Sequence, residues 1–252
     1  MLQKQKHIVL FFIYILFSIS VFGNELFLKA NDAYNEKKYA EAAALYEELI
    51  KEGYKDAVVC HNLGNAYFKN DQLAKALLWY ERALRLDPAN EDIKHNISFV
   101  NQLTIDKMDV KAESFLTKWF CAVRDLFSVK IWSILSIVFI VICCLCIVLI
   151  ILVSSSHWRI SFFIISCVAV VFAVLSIVFA VLQKNNINRE DEAIIMAKIL
   201  TVKSTPDTSG TSLFTVHEGI KVQIIDNAGN WVEIRFPDGN KGWIIKDAIE
   251  VI

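Results

Sequence analysis

Apolar and polar positions change rhythm three times along this chain of 252 residues. From Asn24 to about position 104 the apolar residues return at i, i+3 and i+4, the spacing that keeps them on one face of a helix. The same residues then return 34 positions later. Leu26, Ala30, Ala33, Tyr34, Tyr39, Ala42, Tyr46 and Leu49 fall opposite Cys60, Gly64, Tyr67, Phe68, Leu73, Ala76, Tyr80 and Ala83. Between 131 and 153, and again between 160 and 182, the rhythm disappears. Both stretches are apolar with scattered Ser and Cys, and hold no charge, Pro or Gly. Beyond 190 short alternating runs take over: Ile194–Val202, Thr215–Val216, Lys221–Ile225, Trp231–Phe236 and Gly242–Ile245. Turn residues separate them, at Thr205-Pro206-Asp207, Glu218-Gly219, Asn227-Ala228-Gly229-Asn230 and Pro237-Asp238-Gly239.

A period of about 34, with small residues where helices cross, is the spacing of tetratricopeptide repeats, helical hairpins that stack into a groove. Helices are predicted over 25–36, 39–52, 57–69 and 73–86, and Pro88 marks the end of the last. The repeats are 24–56 and 57–90. His95-Asn96-Ile97 echoes His61-Asn62-Leu63, which makes the next segment a capping helix and closes the repeat region at 106. About three repeats are usually needed for stability. Extra support is therefore expected from a partner, a second copy or the membrane-proximal segment.

The two uniform stretches each exceed the roughly 20 residues needed to cross a bilayer. They predict transmembrane helices at 131–153 and 160–182, joined by the turn 154–159. A third apolar run, Ile8–Phe22, follows Lys4 and Lys6. It reads as a signal peptide over 1–23, or as a signal anchor that is not removed. Either version sends residue 24 onward across the membrane, and the hairpin returns the C-terminal segment to that outer side. Lys118, Arg124, Lys130, Lys184 and Arg189 flank the spans whereas the turn has only Arg159, so the positive-inside rule alone favours the inverted orientation. Export prevails in this reading because long domains translocate largely regardless of charge. The linker 107–130 reads as amphipathic, or as a coiled linker with incidental aromatics. Phe115, Trp119, Phe120, Val123 and Phe127 share one side of a helix, as in a helix lying among lipid headgroups.

A formal net charge of −1 gives no reason to expect a nucleic-acid partner. Cys143, Cys144, Cys146 and Cys167 fall inside the spans, and a Cys60–Cys121 disulfide is an open alternative to free thiols. No phosphate loop, nucleophile motif or metal-ligand spacing occurs, so neither catalysis nor a cofactor is expected. The spans carry no ionisable residue, which argues against a transport path.

The candidate chemistry is recognition. The first helix of each repeat lines the concave face, where Asn31, Asn35, His61, Asn62, Asn65 and Lys69 are polar and His95 and Asn96 continue the row. Amides and imidazoles there can bond the backbone of an extended peptide, or they are ordinary solvated positions. In the C-terminal barrel Trp231, Phe236 and Trp243 form either an aromatic groove or the core.

Residues 190–252 resemble the bacterial SH3 domain. The resemblance rests on Leu200-Thr201-Val202-Lys203-Ser204-Thr205-Pro206, Glu218-Gly219-Ile220-Lys221-Val222, Trp231-Val232-Glu233-Ile234 and Asp238-Gly239-Asn240-Lys241-Gly242-Trp243. Thr201 and Thr205 depart from the Asn and Gly usual in the first block. The whole order of signal, repeats, two spans and SH3-like barrel is similar to the BatE-type protein of the aerotolerance (Bat) family. Leu213-Phe214-Thr215-Val216-His217-Glu218-Gly219 looks like that family's barrel. The resemblance implies a multidomain protein of the bacterial inner membrane, with an all-α solenoid and an all-β barrel facing the periplasm. It implies a scaffold in an envelope complex with von Willebrand factor A domain proteins and, indirectly, a MoxR-type ATPase. The alternative function is an envelope sensor whose barrel binds peptidoglycan peptides.

Overall fold

The computed structural model describes residues 25–108 and 114–252. The expected signal or anchor over 1–23 lies outside the described residues. Five helices come first: α1 (Glu25–Asn35), α2 (Tyr39–Lys51), α3 (Ala57–Lys69), α4 (Leu73–Leu86) and α5 (Glu91–Leu103). The chain continues with α6 (Phe115–Arg124), α7 (Val129–Leu152) and α8 (Ser156–Ile187). Seven strands finish it: β1 (Glu192–Ile195), β2 (Ile199–Lys203), β3 (Ser212–His217), β4 (Lys221–Ala228), β5 (Trp231–Arg235), β6 (Lys241–Ile245) and β7 (Ile249–Val251).

Local chemistry sets the helix ends. The Asp56 carboxylate accepts the Val59 N–H at 2.8 Å and Asn90 accepts that of Ile93 at 3.2 Å, satisfying donors that the first turn leaves orphaned. Gly53, at φ 97°, ends α2 with its own N–H on the Ile50 carbonyl and that of Tyr54 on Leu49. The turn inside each repeat carries a left-handed residue at the same place, Lys37 (φ 63°) and Asp71 (φ 57°). The 34-residue period thus extends to the turns.

Ala30, Ala42 and Ala76 are fully buried where helices cross, and Tyr46, Leu49, Leu63, Leu77 and Tyr80 fill the space between. A Cβ on Gly64 would meet the Tyr80 ring at 2.6 Å, so the close approach of α3 to α4 requires glycine or a shift of that ring. α5 covers one end of the stack through Ile93 and Val100. The long face of α4 is covered by the barrel.

The strands form one antiparallel sheet in the order β3-β2-β6-β5-β4-β1-β7. Its interior holds Ile195, Val202, Val232, Ile234, Phe236 and Ile244. The single strand expected over 194–202 is two strands. Met196 donates its N–H to Ala248 at 2.8 Å, and the chain bends before β2 joins β3 and β6. No Gly or Pro in that stretch announces the bend. β7, absent from the sequence reading, pairs with β1.

α7 and α8 form an antiparallel pair. Trp132 stacks on Phe179 at 5.0 Å, Phe139 on Phe172 at 5.4 Å, and Cys143 Sγ meets Ser166 Oγ at 3.3 Å. Small buried residues make the seam: Ser136, Cys146, Ser166, Ala169, Ala173 and Ser176, a composition that lets helices approach closely. Both helices are long and apolar enough to cross a membrane, and only 11% and 17% of their most apolar windows are buried. They are not core helices. α8 runs five residues past the expected end of the second span, to Ile187. The amphipathic segment ends as a helix at Arg124, so Phe127 lies beyond it and packs edge-on against Trp132 at 5.1 Å. Cys60 and Cys121 are both free.

Strand β1 joins the two soluble bodies. Ala193 and Ile195 point into the barrel while Ile194, fully buried, packs with Ile252 into the repeat core. Around them Arg85, 8% exposed, donates to the Ile252 carbonyl at 2.8 Å, the Arg189 carbonyl at 2.6 Å and Glu192 Oε2 at 2.9 Å. Arg82 donates to the Val251 carbonyl at 2.5 Å. Lys221 bridges Glu81 at 2.9 Å and Glu192 at 3.0 Å. On the other flank Asp106 accepts the His217 N–H at 2.6 Å. The last turn of α8 also reaches the repeats, with Gln183 donating to the Arg85 carbonyl at 3.4 Å. The short solenoid takes support from its own barrel and from α8, neither of which was among the expected sources.

Arg85→Ala strands two carbonyls and a carboxylate. The full chain in detergent should lose about 3 kcal/mol in denaturant unfolding, the low end for breaking a buried charge pair because Glu192 retains Lys221. A second expectation concerns pH. Burial pushes the Glu192 carboxyl up, but Lys221 and Arg85 outweigh it and hold it below the usual range. The stability this contributes is complete above the ordinary glutamate pKa and is lost as pH falls through the lowered one. Glu192→Gln should therefore melt below wild type at pH 7, with the gap closing as pH drops below about 4.

Candidate functional site

The polar row on the concave face is a hydrogen-bonded ladder with the period of the repeats. Tyr46 donates its hydroxyl to Asn31 Oδ1 at 2.6 Å, and Asn62 donates to the same oxygen at 3.4 Å. One repeat on, Tyr80 donates to Asn65 Oδ1 at 2.7 Å and Asn96 to that oxygen at 3.1 Å. Each rung therefore ties a first helix to its own second helix and to the first helix of the next unit. Burial pushes the Tyr46 hydroxyl up to about 12 and raises that of Tyr80 too. Both stay protonated and keep donating at neutral pH.

This fixes what the asparagines can offer. The Oδ1 atoms of Asn31 and Asn65 each accept two bonds, so the free capacity of each amide is its Nδ2 group, which has no partner among the described residues. Asn31, Asn35, Asn62 and Asn65 line one depression of about 330 Å³ with Tyr34 and Tyr46. Donors at such a place suit backbone carbonyls of an extended ligand. His61 lies 2.9 Å from Asn96 Nδ2 through Nε2. Burial lowers its pKa against the pull of Asp92, so the ring is neutral at pH 7 and Nε2 accepts.

The other predicted residues stand apart. Lys69 and His95 are exposed, Lys69 lying 5.9 Å from the Phe68 ring centre. His61 and His95 belong to no cluster of three potential metal ligands, and no such cluster occurs among the described residues. Sequence reasoning took Tyr46 and Tyr80 as core alone. Their hydroxyls set the asparagine orientation, and the signal was available: each tyrosine follows its asparagine by 15 positions in both repeats.

In the barrel the three predicted aromatics separate. Phe236 is 2% exposed and meets Phe214 edge-on at 5.3 Å inside the sheet. It is a core residue. Trp231 and Trp243 alternate with the buried Val232 and Ile244, and therefore face outward. Trp231 pairs with Ile245 and Trp243 with Glu233, so the outer face of β5 and β6 carries two indoles and the exposed Ile245. Of the two alternatives, Phe236 takes the core and the two tryptophans the outer face.

A larger cleft of about 790 Å³ separates the barrel from α5 and the segment after it. Its charges are already engaged: Lys221 with Glu81 and Glu192, Arg235 with Gln223, and Asp106 with His217. It is part of the junction.

Comparison with known families agrees with this division. Residues 57–90 match the family model of the Tetratricopeptide repeat, and residues 200–250 match that of the Bacterial SH3 domain. No curated protein matches the chain. Both matched families are interaction modules and are typically non-catalytic: the repeat points to protein partners, and the barrel to protein partners or peptidoglycan.

Proposed function

We propose that this chain is a non-enzymatic membrane-anchored scaffold that presents its repeat groove and SH3-like barrel on the periplasmic side of the bacterial inner membrane. The reading rests on the paired Nδ2 donors of Asn31 and Asn65, which repeat along the groove with the period of the fold. Donors aimed at backbone carbonyls give affinity for an extended segment with little demand on its side chains. The uncovered outer faces of α7 and α8 support membrane anchoring, and the bacterial SH3 match supports a place in the cell envelope. The clients are membrane proteins of a Bat-type complex, those with von Willebrand factor A domains first and a MoxR-type ATPase through them.

The test is a membrane-impermeant amine crosslinker added to spheroplasts, followed by affinity purification. Another membrane protein should be recovered from wild type and largely lost from Asn31→Asp/Asn65→Asp. Aspartate still accepts the tyrosine hydroxyl but removes both donors. At about 1 kcal/mol per hydrogen bond the loss is roughly 30-fold. Capture of the partner only by a permeant reagent would invert the orientation, and equal capture by the variant would exclude the groove.

The outward pair Trp231 and Trp243 favours a second reading, in which the barrel senses peptidoglycan. Purified full chain in detergent should then co-pellet with isolated sacculi, and Trp231→Ala should abolish this while leaving the melting temperature unchanged. Without co-pelleting the sensor reading falls and the scaffold stands.

A further inference from the structure

The helix α6 presents a strongly apolar face left largely open by the described residues: Phe115 is 79% exposed, Leu116 75%, Trp119 60% and Phe120 44%. At 100° per residue these side chains and Val123 fall within one arc, while Thr117, Lys118, Cys121 and Arg124 occupy the opposite one. Three large apolar side chains more than half exposed on one short helix, Phe115, Leu116 and Trp119, call for an occupant.

The contacts of α6 specify which. Phe120 lies 6.1 Å from Phe179 on α8, and the Arg124 carbonyl accepts the Trp132 indole N–H at 3.0 Å on α7. Trp132 and Phe179 are stacked side by side, at one level of the hairpin. Residues one turn apart on α6 thus touch the two long helices at a single depth, so α6 crosses the hairpin and does not run along it. That depth is the end of the apolar zone. From Trp132 to Leu152 on α7 is about 30 Å at 1.5 Å per residue, the thickness of bilayer hydrocarbon. Four residues beyond Phe179, Gln183 is already docked on the repeats. The arrangement of charge agrees: Arg124 is neutralised by Asp125 at 2.7 Å, while Lys118, Lys130 and Lys184 are exposed and make no ion pair among the described residues.

We propose that α6 lies in the headgroup layer with Phe115, Leu116 and Trp119 inserted at the acyl boundary. The three lysines reach lipid phosphates, and the helix holds the repeats and barrel flat against the membrane. The partner is a lipid surface. This inference rests on the reading that α7 and α8 span the bilayer, and its test separates the two.

The full chain, with its six tryptophans replaced by 5-fluorotryptophan, is placed in lipid nanodiscs. Trp→Phe variants assign the fluorine resonances. A lipid carrying a spin label high on its acyl chain should erase the Trp119 resonance together with those of Trp132 and Trp158. An aqueous gadolinium chelate should spare Trp119 and broaden Trp231. Broadening of Trp119 by the chelate alone, with Trp132 and Trp158 erased by the lipid label, overturns the inference and leaves the spans in place. A Trp119 resonance protected from both reagents overturns it in favour of a protein cover such as a second copy. If the lipid label erases none of the three, the spanning reading falls with it.

Discussion

Strand β1 belongs to two cores, and most of the architecture follows from that. Its alternating side chains send Ala193 and Ile195 into the barrel and Ile194 into the repeats, so neither body is finished without the other. A strand buried on both faces leaves its backbone ends in a dry junction, where polar groups must be paired. Arg82 and Arg85 meet that demand, donating to the carbonyls of residues 189, 251 and 252. Buried guanidinium groups need anions nearby. Glu192 and Glu250 supply them, and Lys221 between Glu81 and Glu192 keeps the charges alternating. The joint requires both bodies at the same end of the α7–α8 pair, which an antiparallel hairpin provides.

Sequence periodicity revealed helices α1 to α4 almost to the residue, because a 34-residue period reports on every position at once. Helices predicted over 57–69 and 73–86 are α3 and α4 with those bounds. The uniform apolar blocks were legible as two long helices, but the turn expected over 154–159 is shorter, because α8 already begins at Ser156. The barrel was less so. The bend at Met196 has no Gly or Pro, and it exists because the Ala248 carbonyl is there to receive an N–H, a partner some 50 residues away. The site was half legible. Its asparagines stand at visible repeat positions, whereas the role of Tyr46 and Tyr80 depends on which way a hydroxyl points across the groove. Phe236 stayed open between groove and core because an aromatic residue next to a turn reads the same inside and outside a small barrel, and it is core. The junction was invisible: Arg85 looks like an ordinary charge near a helix C-terminus, and the residues that need it lie more than 100 positions away.

The rigid joint changes how the two modules can cooperate. Two domains on flexible tethers gain affinity for a shared client through effective concentration, which falls as the linker lengthens. Here the barrel sits on α4, the second helix of the second repeat, and leaves the asparagine ladder on the first helices free. Groove and outer barrel face are therefore held at a set separation. A client that fits both gains from preorganisation, because no domain motion has to be frozen when it binds. A client of the wrong span gains nothing. A fixed separation would discriminate on the length and geometry of a partner as well as on its local chemistry.

Proximity to the apolar hairpin adds a further constraint. Gln183 lies about 6 Å along α8 from Phe179, yet it is fully buried and donates to the Arg85 carbonyl near the end of α4. Where the hairpin spans a bilayer, this closeness holds the repeats and the barrel beside the headgroup layer and not on a long stalk, because Arg85 meets α8 only one turn from its aromatic level and meets Glu192 of the barrel at the same time.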